Sequence, residues 1–134
     1  MRLYMLDTDI CSYIIKQRPI SVLERFETIP VTQISISVVT YAELIYGVER
    51  SSSTKINLSI VKDFVSCLTV LPWNREAAES YGKLRAFLEQ KGTPIGNMDL
   101  MIAAHALSHN RIIVTNNTRH FDKIPQLPVE NWVI

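Results

Sequence analysis

No apolar run in the 134-residue chain approaches the 18 or more residues of a membrane span. The N-terminus, MRLYMLDTD, carries early acids where a secretory leader would carry an apolar core. Both absences point to a cytoplasmic protein that engages no membrane. Cysteine is scarce: Cys11 and Cys67 have no CxxC spacing and no adjoining His/Cys cluster, which argues against zinc and for free, partly buried thiols. No repeat or low-complexity tract interrupts the chain. An excess of one charge is lacking too, since 14 Lys and Arg against 13 Asp and Glu leave a net +1 that by itself names no partner. Apolar residues are plentiful at 47%, enough for one compact domain, 1–134, with a substantial core.

The apolar run Tyr4-Met5-Leu6 ends at Asp7-Thr8-Asp9, and a helical pattern follows from Ile10 to about Lys16. Ser21 to Glu27 reads as a second short helix. QISIS, residues 33–37, alternates and is β-branched, so it predicts a strand, with Ser37 placed to cap a helix from Val38 to about Arg50. A helix from Thr54 to Cys67 carries Ile56, Ile60, Val61, Phe64 and Val65, and Leu68 to Leu71 is the next strand. Asn74 caps a long amphipathic helix that runs to Lys91 and closes at Gly92. PIGNMDLMIAAHAL, residues 94–107, is a loop and then a helix apolar on nearly every face, which belongs in an interior. Arg111 to Thr115 is a buried strand; a polar loop and a strand-like Val129 to Ile134 complete the chain. Strands that alternate with helices imply an α/β fold, with a mostly parallel sheet covered on both faces and its ligand edge at the carboxyl ends of the strands.

Acids gather at that edge. Asp7 follows the first strand, where it either caps a helix or faces a ligand. Asp9 either complements the helix dipole or supports Asp7 from behind. Glu43 sits in VVTYAELIYGVER on a largely apolar surface, where an unpaired carboxylate costs several kcal/mol and needs either a cation or a partner such as Arg50. Asp99 opens the apolar helix, as a dipole complement or as a ligand. Three converging acids repel one another unless a divalent cation neutralises them, and hard oxygen donors suit Mg2+ or Mn2+. Such a centre hydrolyses phosphodiesters. With Asp7, Asp9, Glu43 and Asp99 withdrawn into a pocket, nine acids remain against 14 bases, a mildly basic surface suited to a nucleic acid.

In MLDTDICSYI, ISISVVTYAELIYGVE, KGTPIGNMDLMIAAHAL and IIVTNNTRHFDKIP, the chain strongly resembles the PIN-domain ribonucleases, and within them the VapC toxins of type II toxin–antitoxin systems. The segments span nearly the whole chain in the family's order. The resemblance implies a five-stranded parallel sheet, PIN-like, flanked by helices, and a Mg2+ or Mn2+ site. It implies endonucleolytic cleavage of structured RNA, often in a transfer RNA anticodon region, which inhibits translation and leaves a 5′-phosphate and a 3′-hydroxyl. It further implies a homodimer that assembles with a VapB-type antitoxin into a heterotetramer or larger complex.

On these residues the implied metal ligands are Asp7 and Asp99, with Glu43 as a ligand or as the group that orients the attacking water, and Asp9 in support. Thr115 and Asn116 either form an ordinary turn or hydrogen-bond an acid or a phosphate. Many family members carry a further acid here, but Thr115 to His120 has none, so the number of metals stays open. Asn117 can offer its amide oxygen instead, and Asp122 is the nearest acid. Arg119 is a loop charge or a phosphate contact. His105 reads as a satisfied core residue rather than a base.

Other readings fit less of the chain. YMLDTD resembles the start of haloacid-dehalogenase phosphatases, but their later Lys and acidic pair have no convincing place here. A receiver domain needs a phospho-acceptor Asp near position 54, where Ser51-Ser52-Ser53-Thr54 stands. A PIN module that binds RNA or protein without cutting remains the main alternative.

Overall fold

The computed structural model describes residues 1–134. Its elements are β1 (Tyr4–Leu6), α1 (Thr8–Lys16), α2 (Ile20–Thr28), a 3-10 turn (Val31–Gln33), β2 (Ile34–Ser37), α3 (Val38–Glu49), α4 (Thr54–Ser66), β3 (Thr69–Leu71), α5 (Arg75–Gln90), α6 (Asn97–Ser108), β4 (Ile112–Val114), α7 (Thr118–Phe121) and β5 (Val129–Glu130). All four strand pairings are parallel, in the order β3-β2-β1-β4-β5. The first strand is thus the central one, paired Tyr4 to Ile34 on one side and Leu6 to Val114 on the other.

Alternation along these strands divides the interior in two. Tyr4, Leu6, Ile34, Ile36 and Val114 face one cluster, which α1 to α4 complete with Ile10, Ile14, Val22, Leu44, Val48 and Val61. Met5 and Ile113 point the other way, against Leu84 and Leu88 of α5, Leu100 to Ala106 of α6, and Phe121. Ala103, Ala104 and Ala106 are small enough to let α6 lie close to the sheet and to α5. Each fully buried Leu, Ile or Phe contributes about 1.5–3 kcal/mol, so strands of two to four residues are held chiefly by their faces.

Local signals set the ends. Ser37 Oγ accepts from Val39 N and starts α3, and Asn74 Oδ1 accepts from Ala77 N and starts α5. Gly92, at φ 72°, closes α5. No helix is long and apolar enough to cross a membrane.

On α4, Val61 is buried, whereas Ile56 is 65% exposed and Ile60 43%, apolar area that this chain leaves uncovered. Several expectations need correction. The terminal strand is two residues long, because the side chain of Asn131 accepts from Val133 N and bends the chain out of the ladder. A helical turn, α7, occupies part of the expected polar loop, and α6 presents Met98 to solvent at its first turn.

Candidate active site

The carboxyl ends of β1 and β4 lie side by side, and the site grows from that adjacency. Asp7 N donates to Val114 O at 2.9 Å, which carries the sheet one residue beyond β1 and fixes the Asp7 backbone. Its side chain caps α1: one carboxylate oxygen accepts from Thr8 N at 2.8 Å, and the other accepts from Thr115 Oγ1 at 2.8 Å. Asp7 is only 5% exposed, and burial, reinforced by the neighbouring Asp9, pushes its carboxyl up to about 7 against the two hydrogen bonds. Asp99 adds further repulsion. The pocket is therefore short of positive charge.

Asp9 lies in the first turn of α1. Its oxygens accept from Ile10 N at 2.7 Å and from Asn116 N at 3.0 Å, so it fastens the turn after β4 to the first turn of α1. Burial and the nearby Asp99 raise its carboxyl too. Asn116 is gripped further by Tyr13 and Asn131, and Thr115 Oγ1 accepts from Asn117 N at 2.9 Å. The turn at 115–117 is thus a braced platform rather than a loose Asn-rich loop.

Asp99 stands in the first turn of α6, half-buried, with one oxygen 2.9 Å from His120 Nδ1 and 3.4 Å from Asn117 Nδ2. The amide nitrogen of Asn117 also lies 2.9 Å from His120 Nδ1, so it faces the Asp99–His120 pair. His120 is the residue that sequence reasoning passed over. Phe121, fully buried beside it, anchors the short α7 that aims it.

Glu43 lies on the opposite side of α1's first turn and accepts from Thr8 Oγ1. It is half-buried, and it lines an open cavity of about 510 Å3 with Thr8, Ser12, Lys16 and Arg50. The expected largely apolar setting holds, since Ile15, Leu44, Val48, Ile60 and Val61 also line this cavity, although Ala42 and Tyr46 of α3 face solvent. The alternative ion pair with Arg50 does not form; that guanidinium lies over the Tyr46 ring, 5.5 Å from its centroid. Arg119 is exposed and makes no ion pair, and Asp122, exposed at the end of α7, stays out of the site. His105 is a core residue but only half satisfied: Nδ1 meets Ser37 Oγ at 2.7 Å, while Nε2 is buried without a partner.

Asp7, Asp9 and Asp99 thus face a common edge, with Glu43 linked to Asp7 through Thr8. No three His, Cys, Asp or Glu side chains converge as a preformed metal centre would require. The donor set nonetheless fits a hard divalent cation: carboxylate oxygens from separate elements, with the Asp7 carboxyl raised to about 7 by burial and then by Asp9.

The PIN domain family matches residues 4–127. The chain is 44% identical over 129 residues to the tRNA(fMet)-specific endonuclease VapC of Salmonella typhimurium, covering 96% of this chain and 97% of that one. It is 42% identical over 130 residues to ribonuclease VapC2 of Haemophilus influenzae strain Rd, covering 97% and 98%. Among solved structures, the DNA-bound VapBC of Salmonella typhimurium superposes with a TM-score of 0.92 at 44% identity, over 98% of this chain and 99% of that one. VapBC2 of Rickettsia felis, bound to a DNA fragment of its promoter, gives 0.90 at 43%, over 97% and 98%.

Proposed function

Because this chain belongs to the PIN-domain family and, within it, to the VapC ribonucleases, we propose that it is the toxin of a toxin–antitoxin pair, a divalent-metal-dependent endoribonuclease that cuts transfer RNA. The observation that carries the reading is the state of Asp7: held at both oxygens, and raised by its burial and then by its acidic neighbours. A carboxylate kept there at that cost is matched to a cation.

Asp7 and Asp99 would hold Mg2+ or Mn2+, with Glu43 as a further ligand or as the acceptor that orients the attacking water. An ion held there would supply charge neutralisation at the scissile phosphate and an activated water. The chain's own residues set the geometry. Thr8 N and Thr115 Oγ1 fix both oxygens of Asp7. Asp9 anchors the 115–117 turn through Asn116 N. Glu43, held by the Thr8 hydroxyl, would complete the ion's shell or orient the attacking water, and Arg119 would meet the RNA backbone. In-line attack by water leaves a 5′-phosphate and a 3′-hydroxyl, unlike a histidine ribonuclease, which uses the 2′-hydroxyl and leaves a cyclic phosphate.

The Salmonella relative is named for initiator transfer RNA, and the same substrate class, cut in the anticodon region, is our reading for this chain. A VapB-type antitoxin is the partner, and the relatives solved as VapBC assemblies support this. The exposed Ile56 and Ile60 of α4 beside the Glu43 cavity offer apolar area for the antitoxin or for a second copy of the chain, which we place in the cytoplasm.

The test is incubation of purified, antitoxin-free protein with total transfer RNA in Mg2+ or Mn2+, with EDTA and Asp99→Asn controls, and mapping of fragment ends. Discrete cuts with 5′-phosphates, absent from both controls, support the reading. Cuts that survive either control overturn the carboxylate mechanism, and RNA binding without cleavage in any metal would make the protein a binding module.

A further inference from the structure

The residues around Asp99 are not all oxygen donors. Between Thr115 and Phe121 the chain supplies no acid, and Asp122 lies exposed outside the site. The one titratable side chain that this segment brings to the acidic edge is His120, whose Nδ1 is 2.9 Å from Asp99 Oδ2. Two neighbouring donors in an octahedral shell, each about 2.1 Å from the ion, stand about 3.0 Å apart. The Asp99–His120 separation already matches that edge. The placement is also built rather than incidental: Phe121 is fully buried, Asn117 N is bonded to Thr115 Oγ1, and the 115–117 turn is bonded to both Asp7 and Asp9.

We infer that His120 Nδ1 is a direct ligand of the cation beside Asp99, which makes this a mixed nitrogen–oxygen site that favours Mn2+ over Mg2+. The inference rests on the reading of the acidic edge as a divalent-cation site. Without the ion, Nδ1 lies 2.9 Å from both Asp99 Oδ2 and Asn117 Nδ2; with it, Nδ1 would exchange those contacts for the metal. Imidazole suits first-row transition metals, whereas Mg2+ keeps to oxygen, which is why a nitrogen donor here shifts the preference. Asn117 remains a donor to Asp99 and keeps that carboxylate oriented when the histidine has turned to the ion.

The experiment is electron spin echo envelope modulation on Mn2+ bound to the antitoxin-free full chain, with Mn2+ and Mg2+ affinities measured by calorimetry in parallel. Wild-type protein should show nitrogen-14 coupling from a bound imidazole. His120→Ala should bind Mn2+ on the order of tenfold more weakly and lose the coupling, with Mg2+ affinity changed far less. His120→Glu should bind both ions, show no coupling, and narrow the preference between them; it also answers any loss of folding in the alanine variant. His105 cannot supply the signal, since it lies about 9 Å along α6 from Asp99 with Nδ1 committed to Ser37. Mn2+ bound without nitrogen coupling, or coupling that survives His120→Ala, overturns the inference while leaving the metal site intact. Failure of wild type to bind either ion overturns both.

Discussion

Replacing Asp7 by Asn should stabilise the metal-free protein at pH 8 and destabilise it at pH 4. The carboxyl's ordinary value of 3.8 is raised to about 7 in the fold. Between those values the folded chain holds a proton that the unfolded chain has released, so the folded state loses stability as pH rises from about 4 to 7 and then levels off. The difference of about three pH units corresponds to about 4 kcal/mol, all of it present above pH 7. Asparagine removes that penalty but keeps only one of the two acceptor oxygens that Thr8 N and Thr115 Oγ1 use, a loss of about 1 kcal/mol. The net expectation is about 3 kcal/mol of added stability at pH 8 and about 1 kcal/mol lost at pH 4, read by urea denaturation in EDTA. Millimolar Mn2+ should then raise the wild-type midpoint at pH 8 and leave the variant's nearly unchanged. An Asp7→Asn protein equally destabilised at both pH values would refute the argument that burial and acidic neighbours strain this carboxylate.

Burial and the adjoining His109 bring His105 down to about 4, so below pH 6.5 the unfolded chain takes up a proton that the folded chain refuses. Stability that this residue allows above pH 6.5 is thus lost as pH falls towards 4, and His105→Gln should flatten that slope in urea midpoints measured from pH 7 to pH 5. Thr115→Val should cost about 1–3 kcal/mol by leaving Asp7 Oδ2 with one donor fewer, and in carboxyl NMR should push the Asp7 titration higher still. Phe121→Ala should cost about 3–5 kcal/mol in denaturant midpoints and lower Mn2+ affinity as well, because the same residue seats His120. Glu43→Gln should leave stability nearly unchanged, since the side chain is half-buried and keeps an acceptor for Thr8, while transfer RNA cleavage in a gel assay falls on the order of a hundredfold or more.

Positions that punctuate a long element were readable before any coordinates. Asp7 closes an apolar run, Ser37 and Asn74 precede amphipathic patterns, and Asp99 begins a helix too apolar for the surface; each is a polar residue at a boundary that periodicity defines. His120 had no such frame, because TRHF is a single helical turn with no period to read, and its orientation comes from Phe121 reaching a core built by distant elements. The apolar setting of Glu43 was legible, but sequence cannot say that Tyr46 and Ile60 beside it remain uncovered by this chain alone. The end of β5 turned on one side chain, Asn131, whose hydrogen bond to Val133 N outweighs the strand propensity of the residues that follow.

The central place of β1 has a consequence in time. During synthesis the N-terminal strand emerges first, together with Asp7, Asp9 and the segment that will carry Glu43. Its partner on one side, β2, follows soon after; its partner on the other, β4, is made only in the last fifth of the chain. Until then Asp7 lacks both Val114 O for its amide and Thr115 for its carboxylate, and Asp9 has no turn to fasten. A ribosome making this protein therefore carries a nascent chain that cannot assemble its cutting edge until β4 and the turn after it have been made.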